Sequence, residues 1–180
     1  MVIASGLLLL HLVTGLIFVG HGAQKLFGIF GGHGLAGTSQ MMTQLELRPA
    51  RWWAIVAALG EFIGGLLLAV GFITPIAALL VCGVMLVAIA KVHWPKGFWN
   101  SQGGYEYNLV LLAIAVAIGI MGAGQFSLDA LFNLNFPEPQ TFLIGALVLV
   151  VLLAVAIPLG RWIEQHVGTW SGRIQHPAQV

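Results

Sequence analysis

Five stretches of the chain are apolar over enough residues to cross a membrane, and short polar connections are all that separates them: Val2 to Gly22, Trp52 to Val70, Pro75 to Val92, Tyr105 to Met121 and Thr141 to Leu159. A bilayer core about 30 Å thick takes roughly 20 apolar residues per helical span. With 59% hydrophobic and 7% charged residues among 180, too few polar side chains remain to clothe a water-facing globule. The expected fold is therefore an all-α membrane protein: a four-helix transmembrane bundle followed by a fifth, C-terminal transmembrane helix. Residues 1–135 form the core in this reading, with an interfacial helix near 38–48 capped by Thr38 or Ser39 and ended by Pro49. Residues 136–180 add the helix at about 141–159 and a polar tail. The N-terminus lacks the basic region of a secretory signal and reads as the first retained span.

Charge sets the expected orientation. Five spans put Lys25, Arg48, Arg51, Lys91, Lys96, Arg161 and Arg173, all seven basic residues, on one face and none on the other. The positive-inside rule then places the N-terminus outside and the C-terminus and tail of this multi-pass chain in the cytoplasm. All six tryptophans, Trp52, Trp53, Trp94, Trp99, Trp162 and Trp170, fall on the same side as an interfacial belt. The basic residues form no dense run and the net charge is +1, so nucleic acid is not an expected partner; lipid is.

Glu61 is the most informative residue, because a carboxylate about ten residues into an uncharged helix must be protonated, paired or turned to water. His11 is the ionisable group at comparable depth on another span, and a Glu61–His11 pair inside the bundle is the first expectation. At about 100° per residue, Lys25 lies roughly 40° and His21 roughly 80° from His11, all on one half of the helix. Glu61, Gly64, Gly65 and Leu68 share a face, and the glycines admit a close neighbour. His11, Glu61 and Lys25 are thus the candidates for moving protons or polarising a ligand. The alternative is a purely structural bond that fixes helix packing. Near the same membrane edge, His21, Gln24, His33, His93, Tyr105 and Glu106 are candidate ligand-binding residues around a headgroup-depth pocket, which suits a small ligand with a polar head and an apolar tail, such as a quinone. The competing reading is an ordinary boundary, where such residues collect anyway.

Sharper motifs fail on inspection. Gly32, Gly34 and Gly37 match a dinucleotide fingerprint but follow a membrane helix instead of a strand. His21, His33 and His93 lack metal-ligand spacing, and His11 has no histidine opposite it for a haem, so no metal site is assigned. Cys82 is the single cysteine, which excludes an intrachain disulfide or a Cys-x-x-Cys pair. No intrinsic redox cofactor is expected.

Four strings in order, GLIFVGHGAQKLFGIFGGHGLAGT from Gly15, EFIGGLLLAVG from Glu61, VHWPKGFW from Val92 with GGYEY from Gly103, and GAGQFSLD from Gly122, resemble the DoxX family of small bacterial membrane proteins. The resemblance implies a four-helix membrane core to which the fifth segment is an addition. It carries over His21, Gln24, Lys25, Glu61, His93 and Glu106 as positions of interest. Family members often have arginine at position 11, where this chain has histidine. Because the family is named for its resemblance to the small subunit of an archaeal thiosulfate:quinone oxidoreductase, it implies a membrane subunit of an oxidoreductase system. Such a subunit would be quinone-linked, draw on thiosulfate or another sulfur or thiol donor, and work with a soluble or membrane oxidoreductase subunit or as a homo-oligomer. The alternatives are a non-catalytic anchor or assembly factor for a soluble partner, and a small proton-linked transporter.

Overall fold

A computed structural model describes the backbone of residues 1–171 and the side chains of residues 1–166. Arg173, the Trp170 side chain and the end of the polar tail lie outside the described residues. The described chain is helical throughout: α1 (Val2–Phe27), α2 (Gly34–Gln44), α3 (Ala50–Val70), α4 (Thr74–Ala88), α5 (Glu106–Met121), α6 (Leu128–Leu131) and α7 (Gln140–Ser171). A π turn over Ile89–His93 and a 3-10 turn over Trp94–Lys96 continue α4. Four helical stretches, Val2–Phe27, Ala50–Val70, Thr74–Lys96 and Gln140–His166, are long and apolar enough to cross a membrane. Helix α5 is apolar but shorter, at 16 residues. The expected class, an all-α membrane bundle of four helices plus a fifth, is the one found.

Helices α1 and α3 make the closest seam. Gly15 lies on Ala69 and Gly22 on Phe62, so as α1 advances seven residues α3 retreats seven. The pair is antiparallel. Any side chain at Gly15 or Gly22 would meet α3 backbone, and Gly65 answers from the other side against Phe18 and Val19. Small residues permit this approach because lipid offers helices no hydrophobic drive, leaving van der Waals contact to hold them.

Helix α4 returns along α3 through a tight turn. Gly71 ends α3 in the left-handed region (φ 60°), and Ile73, also left-handed at φ 42°, precedes α4. A β-branched residue rarely adopts that conformation. Here the Asp129 carboxylate accepts from Ile73 N–H at 2.7 Å and Thr74 N–H at 2.9 Å, so the acid on α6 caps the first turn of α4. Asp129 is itself presented by α6, whose Ser127 hydroxyl accepts from Ala130 N–H at 3.1 Å and caps that short helix.

Three helices, α1, α2 and α7, have boundaries that differ from the sequence reading. Helix α1 runs on past Gly22 to Phe27 and stops at Gly28 (φ 72°), because Ala-Gln-Lys-Leu-Phe are all sound helix formers. Helix α2 starts at Gly34, not Thr38, and ends at Gln44, short of Pro49; Thr38 faces inward and donates back to the Gly34 carbonyl at 2.9 Å instead of capping. Helix α7 continues beyond Leu159 with Pro158 inside it.

The register of α7 shows how it joins. Leu79 of α4 meets Gly145, and Gly83 meets Leu149, so both helices advance by four and run parallel. Phe142 packs on Gly119 of α5. At its far end, Arg48 makes a two-point ion pair with Glu164 (3.0 and 3.1 Å), and Arg161 pairs with Glu46 (2.7 Å). Most of the remaining α7 surface is exposed and apolar, including Leu147, Val151 and Val155.

Candidate functional site

The α1–α3 register decides which charges meet. With Gly22 on Phe62, Glu61 faces the end of α1, and Lys25 reaches it: the Lys25 ammonium donates to the Glu61 carboxylate. The Glu61 side chain is 4% exposed and that of Lys25 23%. The expected Glu61–His11 pair does not form. The same register sends His11 toward the opposite end of α3, where its Nδ1–H donates to the Leu68 carbonyl at 2.7 Å. The depth count failed because α1 is longer than its apolar core and is offset against α3. His11 is buried, and its Nε2 has no hydrogen-bond partner among the described residues.

Next to the ion pair opens a cavity of about 470 Å³, walled mainly by α3, α4, α5 and α7, with α1 and α2 adding to the lining. This is within the usual range for small-molecule sites. Its walls are mostly apolar: Leu80, Val84, Ala88, Leu111, Leu149 and Leu153, with Met41, Met42 and Trp53 toward α2. The polar residues of the lining are His21, Lys25, Glu61, His93, Asn100, Tyr107 and Asn108. A mostly apolar chamber with a few polar groups in its lining fits a ligand with a polar head and a hydrophobic body.

The remaining sequence candidates divide between lining and support. His21 and His93 line the cavity; Gln24, His33, Tyr105 and Glu106 do not. Gln24 sits behind His21, its Oε1 3.2 Å from His21 Nδ1 and its amide donating to the Phe30 carbonyl at 2.9 Å, so it ties the glycine loop to α1. Tyr105 stacks on Trp94 (centroids 5.1 Å apart, 14° between planes). Glu106 accepts from Asn100 N–H at 3.0 Å. Both brace the loop between α4 and α5, and that loop in turn holds His93, whose Nδ1–H donates to the Gly103 carbonyl at 2.7 Å. His33 is exposed at the start of α2. Among the described residues, no three His, Cys, Asp or Glu side chains come together as a metal site.

Sequence reasoning missed Asn108 and the α7 wall. Asn108 is buried and donates to the Met85 sulfur at 3.6 Å. It is a lone polar residue near the start of an apolar segment, the signal that singled out Glu61. No such signal marks Leu149 and Leu153, which are two apolar residues among many.

The DoxX family model matches residues 6–94, from the first turns of α1 to the end of the π turn after α4. The chain is also similar to a protein of Bacillus subtilis (strain 168) named putative oxidoreductase CatD, with 32% identity over 124 residues, covering 69% of this chain and 84% of that one. No solved structure matches the chain with significance. Lys25, Glu61, His21 and His93 all fall within the matched region, and on the family model and the relative together this multi-pass membrane protein belongs to the DoxX family.

Proposed function

We propose that the protein is the membrane subunit of a quinone-linked oxidoreductase system in the bacterial cytoplasmic membrane, with its N-terminus outside and its basic face inside. The observation that carries this reading is the Lys25–Glu61 pair in the wall of a mostly apolar cavity. A quinone, when bound, supplies a carrier of two electrons and two protons. The apolar walls bind its tail and exclude water. The Lys25 ammonium, held in place by Glu61, donates to a headgroup oxygen, and Glu61 sits where it can exchange a proton with Lys25. His11 takes no part, since it lies at the other end of α3.

With a single cysteine and no cofactor motif in the chain, electrons enter from a partner subunit that oxidises thiosulfate or another sulfur or thiol donor. The name of the Bacillus relative supports an oxidoreductase role and says nothing of the donor. The test is purification with native partners in mild detergent, extraction of bound quinone, and assay of donor-dependent quinone reduction. Co-purifying quinone, and turnover lowered at least tenfold by Lys25→Met and by Glu61→Gln in folded protein, are the expected results. A complex without quinone or quinone-linked turnover overturns the reading. Neutral Glu61→Gln together with partner loss on altering Trp94 or Trp99 favours a non-catalytic anchor.

A further inference from the structure

We propose that the cavity binds a quinol more tightly than the matching quinone, because His21 and His93, which both line it, have Nδ1 engaged as a donor and in the neutral ring keep Nε2 as an acceptor. This rests on the reading of the cavity as a quinone site and specifies which redox form that site favours.

The argument runs outward from two backbone carbonyls. A carbonyl oxygen can only accept, so the 2.7 Å contact between Gly103 C=O and His93 Nδ1 requires the proton on Nδ1. In the neutral ring Nε2 is then a bare acceptor. His21 is fixed through one more link. The Phe30 carbonyl must receive the Gln24 amide NH₂ at 2.9 Å, which turns Gln24 Oε1 toward His21 and demands a proton on its Nδ1. His21 Nε2 is likewise left as an acceptor. Neither Nε2 has a hydrogen bond within the described residues, and both histidines line the cavity.

The third polar group, Lys25, is a donor with one proton committed to Glu61. A quinone carbonyl satisfies Lys25 and offers nothing to either imidazole, so binding it strips water from two acceptors without replacement. A phenolic hydroxyl both donates and accepts, so it can serve an imidazole and the ammonium together. Leaving a desolvated acceptor unpaired is the costly outcome, on the order of tenfold in affinity for each such group. The expected preference is therefore roughly ten- to hundredfold for quinol. By linkage, each tenfold raises the bound two-electron couple by about 30 mV, which favours delivery of electrons into the site.

The experiment measures binding of three ligands of equal tail length to the purified full-length protein in detergent under anoxia: a benzoquinol, its benzoquinone, and the quinol's di-O-methyl ether. The quinol is expected to bind at least tenfold more tightly than either of the others. The ligand series on the unaltered protein needs no variant to fold. His93→Phe and His21→Phe then each narrow the quinol-over-quinone preference about tenfold, by relieving quinone of an unpaired acceptor and leaving a quinol hydroxyl unserved; a merely structural role would lower both affinities equally and keep their ratio. Quinone binding as tight as quinol, or a preference untouched by both variants, overturns the inference and leaves the cavity reading standing. No binding of either redox form overturns both.

Discussion

The two partners of the Lys25–Glu61 pair are unequally placed, and that inequality is testable. Glu61 is 4% exposed and sits midway along α3, whereas Lys25 is 23% exposed on the last turn of α1, where a long side chain can reach toward the membrane surface. Removing the lysine strands a buried carboxylate; removing the carboxylate frees a lysine that can move. Lys25→Met is expected to cost about 3–5 kcal/mol and Glu61→Gln clearly less, with the double variant recovering part of the loss. Unfolding of purified protein in mixed detergent micelles checks the order, and equal costs would show that Glu61 carries no buried charge. Asp129 bears on a second site. It caps α4 through two backbone N–H groups while Ile73 holds φ 42°, so Asp129→Ala is expected to lower stability by about 2–3 kcal/mol. The same unfolding assay reads it. That Glu61 needs a partner was legible in the sequence, because one carboxylate in an apolar helix stands out. Which partner it takes was not, because that depends on the offset between two helices, and no single residue encodes the offset.

Helix packing supplies that offset, and glycine positions make it visible. Gly22 and Gly20 lie two residues apart on α1 yet face different surroundings: Gly22 is against the Phe62 backbone, while Gly20 has nothing within 4 Å of where a side chain would begin. Gly22→Leu should therefore push α1 from α3 and destabilise by more than the roughly 1–3 kcal/mol of ordinary overpacking, since the obstacle is main chain and cannot repack. Gly20→Ala should be neutral or stabilise by up to about 1 kcal/mol, the helix-propensity gain. Thermal unfolding of the two variants side by side is the measurement; similar losses at both positions would mean the seam is placed wrongly. Most elements were legible, since the apolar runs mark where the long helices lie. The α2 start was not, because Thr38 can serve as a cap or as an inward-facing donor, and the packing of α2 against α1 and α3 selects the second role.

Across the whole molecule, the alternation of spans puts charge and chemistry at one end. The crossed pairs Arg48–Glu164 and Arg161–Glu46 tie the end of α7 to the connection between α2 and α3, and Thr38 ties α2 to the Lys25 carbonyl, so these basic residues share one end of the bundle. The parallel run of α7 beside α4 requires an odd number of crossings between the two chain ends if α5 also crosses. With 16 residues, α5 spans about 24 Å, short of a full hydrocarbon core, and its ends are completed by the loops that carry Tyr105 and Gly122. If the positive-inside rule governs, a fluorescent reporter fused after residue 180 should light up in the cytoplasm, and alkaline phosphatase fused near residue 135 should be active outside. A silent C-terminal fluorophore with an active phosphatase there would mean that α5 or α7 fails to cross. That result would also undo the cavity, because Leu149 and Leu153 can complete its wall only if α7 lies in the membrane alongside α4. Topology and site therefore stand or fall on the same pair of fusions.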